Sequence, residues 1–167
     1  MLSIVALLLQ FAIAIGPVDS SATLESTTRH VRTTDSYVTH LLKRGHSRSA
    51  TFARLVARLQ DSDVIVYVEI LPRLPDTMDG RLLLLPRAHA FRYVRVQITL
   101  RGGEDDAIAL LGHELQHACE IADAPEVGNQ TQLARLYERI GQRGGDHLFD
   151  TLAARLAGRQ VRRELLA

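Results

Sequence analysis

Between Arg101-Gly102-Gly103 and Asp123-Ala124-Pro125 lies one run of residues whose apolar and polar positions separate at helical spacing. Taking about 100° per residue from His113, His117 falls near 40° and Glu120 near 340°, whereas Ile108, Leu111, Leu115, Cys119 and Ala122 cluster between about 160° and 240°. The rest of the chain must therefore supply a surface that buries the second group. Glu104, Asp105 and Asp106 place negative charge in the first turn, where the helix macrodipole favours it, and Asp123-Ala124-Pro125 ends the helix.

The polar face of this helix carries chemistry. His113 and His117 are one turn apart, so their imidazoles can converge on one metal ion. Glu114 sits about 100° round the helix, where a carboxylate reaches a water on the metal without becoming a ligand. Cys119 is the only cysteine, which excludes an intramolecular disulfide and any multi-cysteine zinc knuckle, and its place on the apolar face makes it a small core residue. Zinc held by His, Asp or Glu is the expected cofactor, with Glu114 activating a zinc-bound water for hydrolysis. The alternative is a chance His-Glu-His pattern on a solvated face. The apolar opposite face and the acidic first turn favour the metal site.

Elsewhere the chain reads as one domain. Its 167 residues suffice for one sizeable core and are too few for two. Ser47 or Ser49 can cap a helix to about Leu59, in which Phe52, Leu55, Val56 and Leu59 form an apolar stripe. A shorter helix from Tyr37 to Lys43 is expected before it, stopped by Gly45. Val64 to Ile70 is a β-branched strand, Arg81 to Leu85 a second, closed by Pro86, and Phe91 to Leu100 alternates as a half-buried third. After the motif helix, Thr131 to Ile140 reads as a helix stopped by Gly141, and a last helix runs from near Phe149 towards Leu166. His89 falls in a loop between strands, where a solvated residue is the ordinary reading and a substrate contact the alternative.

Residues 1–22 read as a signal peptide or N-terminal anchor. Met1 to Gly16 contains no charged residue, and Ala12-Ile13-Ala14 and Ser20-Ser21-Ala22 offer small-x-small cleavage patterns, although no basic residue precedes the apolar core. The run is short for a bilayer span of about 20 residues, so cleavage and export, periplasmic or secreted, are preferred to a retained anchor. Residues 23–36 are Ser/Thr-rich and read as a flexible lead-in, leaving 37–167 as the folded domain.

The sequence GHELQHACE resembles the active helix of the zincin metallopeptidases, and the preceding strand fits their usual order; the likeness spans roughly Val64 to Leu166. It implies a small α+β zincin-like domain: a short, mostly antiparallel sheet, an HExxH helix beneath it and C-terminal helices that supply the third ligand. Metzincins have that ligand at the position of Asp123, but place glycine where this chain has Glu120. Gluzincins take an acidic residue from a later helix, where Glu138 and Asp150 qualify. Phe149-Asp150-Thr151-Leu152-Ala153-Ala154 is similar to a Phe-Glu-Thr-like segment of exported bacterial proteins sharing the HELQHA helix, which puts Asp150 first. Glu138, Glu120, Asp123, Glu126 and His147 stay as alternatives, with Glu120 better suited to hydrogen-bond the His117 ring. Apart from ligation, Asp150 has the ordinary reading of a helix cap.

The expected activity is zinc-dependent hydrolysis of a peptide or protein substrate; a non-catalytic envelope binding or scaffold protein on the same fold is the alternative. Twenty basic against nineteen acidic residues give a net charge of +1, with no long-range field to gather nucleic acid. A membrane is a partner only if the N-terminal segment is retained, and no feature of the sequence fixes an oligomeric state.

Overall fold

The computed structural model describes residues 29–75, 78–144 and 148–167. The signal or anchor expectation for 1–22 and the ligand candidate His147 lie outside the described residues. In chain order the elements are β1 (Val31–Arg32), α1 (Ser36–Arg48), α2 (Ala50–Gln60), β2 (Val64–Ile70), β3 (Gly80–Ala88), β4 (Phe91–Ile98), α3 (Glu104–Ala122), α4 (Gln130–Ile140), β5 (Gln142–Gly144), β6 (Leu148–Asp150) and α5 (Leu152–Leu166). No helix among the described residues is long and apolar enough to cross a membrane.

The protein is α+β, with one four-stranded sheet in the order β1-β2-β4-β3 and a small β5-β6 ribbon. The larger sheet is mixed, which corrects the expectation of a mostly antiparallel one: β1 pairs with β2 and β2 with β4 in parallel, and only β3 and β4 are antiparallel. The cause is topological. Helices α1 and α2 fill the crossover from β1 to β2, and β3 forms a hairpin on the far side of β4, which leaves β4 to run beside β2 in the same direction.

Strand alternation sorts the two faces of the sheet. Val64, Val66 and Val68 of β2 and Val94, Val96 and Ile98 of β4 enter the core with Leu41, Phe52, Leu55, Ile108, Leu111 and Leu115 from the helices. On the other face Tyr67 stacks on Tyr93, Arg95 pairs with Glu69, and Gln97 bridges Glu69 and Arg81. Helices thus cover one face only, and α3 lies at their centre.

Several boundaries move for identifiable reasons. Val31–Arg32, inside the stretch expected as a lead-in, pairs with Val66 and Tyr67, and Asp35 accepts hydrogen bonds from Tyr37 N and Val38 N to cap α1. That helix runs through Gly45, which is packed so closely on Phe52 and Ile108 that tertiary contact outweighs its low helix propensity. Strand β3 continues past Pro86 because it is an edge strand, where proline is tolerated. The last helix begins at Leu152, capped by Thr151, whose hydroxyl accepts from Ala154 N; Asp150 belongs to β6 and not to the cap.

Helix α3 is held at both ends. Arg44 pairs with Glu104 and Asp105 at its start. At its end the buried Arg92 donates to the carbonyls of Ile121, Ala124 and Val127 at 2.7, 2.7 and 3.2 Å, with Asp63 as counter-ion at 2.5 Å. The guanidinium thereby adds charged donors to the carbonyls at and just beyond the helix end, two of which, Ile121 and Ala124, also accept from backbone N–H groups. Along its length α3 is crossed by α5 at Gly112 and Gly158, where an added Cβ would stand 2.8 Å from Val161 and 3.1 Å from the Ala109 carbonyl respectively. That close approach brings the start of α5 over the polar face of α3.

Candidate metal centre

The polar face of α3 is not a solvated face. Glu114, His117 and Glu120 are buried and His113 is half-buried, with Tyr137 of α4 against His117, Asp150 at the end of β6 beside both histidines and Thr151 at the start of α5 bonded to Glu120. Periodicity showed that these residues share one side of a helix; it carried no information about what covers that side.

Within this cover, three side chains converge. His113 Nε2 and His117 Nε2 are 3.2 Å apart, and Asp150 Oδ1 lies 3.4 Å from the first and 3.6 Å from the second. Among the described residues, His113, His117 and Asp150 form a group that could hold a metal ion, with one ligand atom each and all within 4.8 Å of one another. Asp150 reaches the histidines despite its short side chain from the last position of β6, where it pairs opposite Gln142 of β5. Its Oδ1 is buried and takes no hydrogen bond among the described residues, whereas Oδ2 lies 3.7 Å from Arg155 Nε.

The other acidic candidates are elsewhere. Asp123 is exposed at the end of α3 and pairs with Arg58 at 2.6 Å. Glu126 pairs with Arg139, and Glu138 is exposed on α4. Glu120 sits beside the site without entering it: its Oε2 is 2.9 Å from His117 Nδ1, and its Oε1 accepts from Thr151 Oγ1 at 2.6 Å. His89 is exposed in the β3-β4 loop with φ 52°, a left-handed conformation suited to a turn.

A cavity of about 490 Å³ opens onto the cluster, bordered by Gly80, Leu82, Leu110, Glu114, Leu133 and Tyr137. Apolar side chains and the polar groups of the cluster line it together, a mixture suited to a small-molecule or peptide site. Burial pushes the Glu114 carboxyl up to about 7, against the opposing charge of His117 and with a further push from Asp150. Burial and the neighbouring His117 lower His113 to about 4. At His117 burial acts in the same sense, but the hydrogen bond to Glu120 and the nearby carboxylates outweigh it and leave the imidazole raised.

Two features of the site had no sequence signal. The Tyr137 ring stands perpendicular to that of His117, with ring centroids 5.4 Å apart, and its buried Oη has no hydrogen-bond partner among the described residues. Helical spacing in α4 marks Leu133 and Leu136 as core but does not distinguish Tyr137 from another apolar anchor. Thr151 likewise reads as an ordinary cap until Glu120 is seen beside it. Against known proteins, the chain matches no family model, no curated protein and no solved structure.

Proposed function

We propose that this protein is an exported zinc-dependent peptidase of the zincin type. The observation that supports this reading best is the position of Asp150, which a separate element brings within 3.6 Å of both motif histidines while Glu114 lines the same cavity. The donor set fits: two imidazole nitrogens and one carboxylate oxygen are a common ligand set of catalytic zinc. The buried Asp150 Oδ1, without a hydrogen bond among the described residues, is a group that a cation would satisfy.

When bound, zinc supplies a Lewis acid that polarises a carbonyl and lowers the pKa of a water. Glu114 accepts a proton from the attacking water and passes it to the departing amine nitrogen. Tyr137 donates from its Oη, which has no hydrogen-bond partner among the described residues, to the oxygen of the scissile carbonyl as that oxygen gains charge. Strand β3 lies at the sheet edge and begins in the wall of the cavity at Gly80, so an extended peptide can pair with its backbone and present the scissile bond to Glu114.

The test combines elemental analysis with cleavage of a mixed peptide library. About one zinc per chain, lost in His117→Ala, with cleavage abolished by Glu114→Gln, is the expected result. Zinc without cleavage turns the reading to a non-catalytic binding or scaffold protein, and absence of zinc removes it.

A further inference from the structure

We infer that Thr151 is a positioning residue for the metal centre: through Glu120 its hydroxyl fixes the tautomer and orientation of His117, and it ties the segment carrying Asp150 to α3. The inference rests on the metal-site reading above but concerns two residues which that reading leaves outside the ligand set. Thr151 Oγ1 has both of its hydrogen-bonding roles assigned. It accepts from Ala154 N at 3.0 Å as the cap of α5, so its own proton is free to go to Glu120 Oε1, 2.6 Å away. With one carboxylate oxygen engaged in that way, the other, Oε2, faces His117 Nδ1 at 2.9 Å.

A carboxylate only accepts, so in neutral His117 the proton resides on Nδ1 and the lone pair of Nε2 faces His113 and Asp150. All three groups are buried, Thr151 at 2%, His117 at 6% and Glu120 at 9% exposure, so water does not compete for these bonds. Asp150 immediately precedes Thr151. The bond that orients one ligand therefore also anchors the backbone that delivers another, and the site is organised before any metal arrives.

The experiment uses the full chain and two readouts. Zinc affinity is measured by chelator competition for Thr151→Val, Thr151→Ser, Glu120→Gln and the Thr151→Val/Glu120→Gln pair. Loss of the cap lowers the thermal stability of Thr151→Val whatever its other role, so stability is not the readout. Thr151→Val is expected to weaken zinc by about 10–100-fold, the range for partners that orient metal ligands. Thr151→Ser, which keeps the hydroxyl, binds like the unaltered protein, and the pair loses less than the product of the single losses because both act through one bond.

Independently of any metal, nitrogen NMR of the metal-free protein at alkaline pH reports the His117 tautomer: Nδ1–H in the unaltered protein and in Thr151→Ser, mixed in Thr151→Val. Unchanged zinc affinity and tautomer in Thr151→Val, or equal losses in the Val and Ser variants, overturn the inference. If the unaltered protein binds no zinc, the peptidase reading fails by itself, and the tautomer measurement still decides whether Thr151 orients His117.

Discussion

Gly80 lies so close to Glu114 that a methyl group on its Cα would stand 2.5 Å from Glu114 Oε1. The first residue of the edge strand thus sets the space available to the proposed base. Gly80→Ala is expected to push the carboxylate aside and lower kcat by about 100-fold, the usual scale for a displacement of about an ångström at a reacting group. Zinc content stays unchanged, because the nearest atoms to the added methyl belong to Glu114 and Leu110 and not to the three ligands. Steady-state kinetics beside metal analysis checks this; unaltered kcat would show that Glu114 is not held by that strand.

Tyr137→Phe separates activity from stability. Removing a buried hydroxyl that has no partner among the described residues relieves an unsatisfied group, so the variant is expected to gain roughly 1 kcal/mol in urea unfolding. If Oη donates to the developing oxyanion, kcat falls by about 100–1000-fold in the same protein. A variant both more stable and fully active would remove Tyr137 from the reaction.

Arg92→Leu tests what holds the motif helix at its C-terminal end. The substitution removes the guanidinium bonds to the carbonyls of Ile121, Ala124 and Val127 and takes from Asp63 its buried partner, and a loss of about 3–5 kcal/mol is expected. Equilibrium urea denaturation reads this directly, and a midpoint shift equivalent to less than about 1 kcal/mol would mean that water replaces the guanidinium.

Glu164 gives the acid limb of stability. Burial alone would raise this carboxyl, but hydrogen bonds from Ser49, Thr51 and Gln160 outweigh it and hold it at about 2, below the ordinary 4.5. A group depressed on folding stabilises the protein fully above its unfolded pKa, and that contribution disappears as pH falls from about 4.5 through about 2. Glu164→Gln is therefore expected to cost roughly 1 kcal/mol at neutral pH, with the difference from the unaltered protein shrinking over that window. A difference independent of pH would place the effect in packing.

The motif helix was legible because its information is local. One turn of helix fixes where His113 and His117 point relative to each other, and the same periodicity marks Ile108, Leu111 and Leu115 as core. Strands β2 and β4 and the capped start of α2 are legible for the same reason, since alternation and a capping oxygen act within a few residues; of the two serines that could cap, the structure uses Ser49. The parallel pairing of β2 with β4 was not, since strand neighbours are chosen by the whole topology.

The sequence by itself determined the pair of imidazoles, the carboxylate beside them and the apolar face opposite, because helical geometry permits little else. Tertiary structure alone decided that this polar face is buried, that Asp150 and not Glu138 or Asp123 approaches the histidines, and that Thr151 and Tyr137 complete their surroundings. Those outcomes depend on the crossing of α5 over α3 at Gly112 and Gly158 and on the short β5-β6 ribbon. Contacts between residues far apart in the chain are selected by packing across the domain, and no local pattern records which of several acidic side chains that packing delivers.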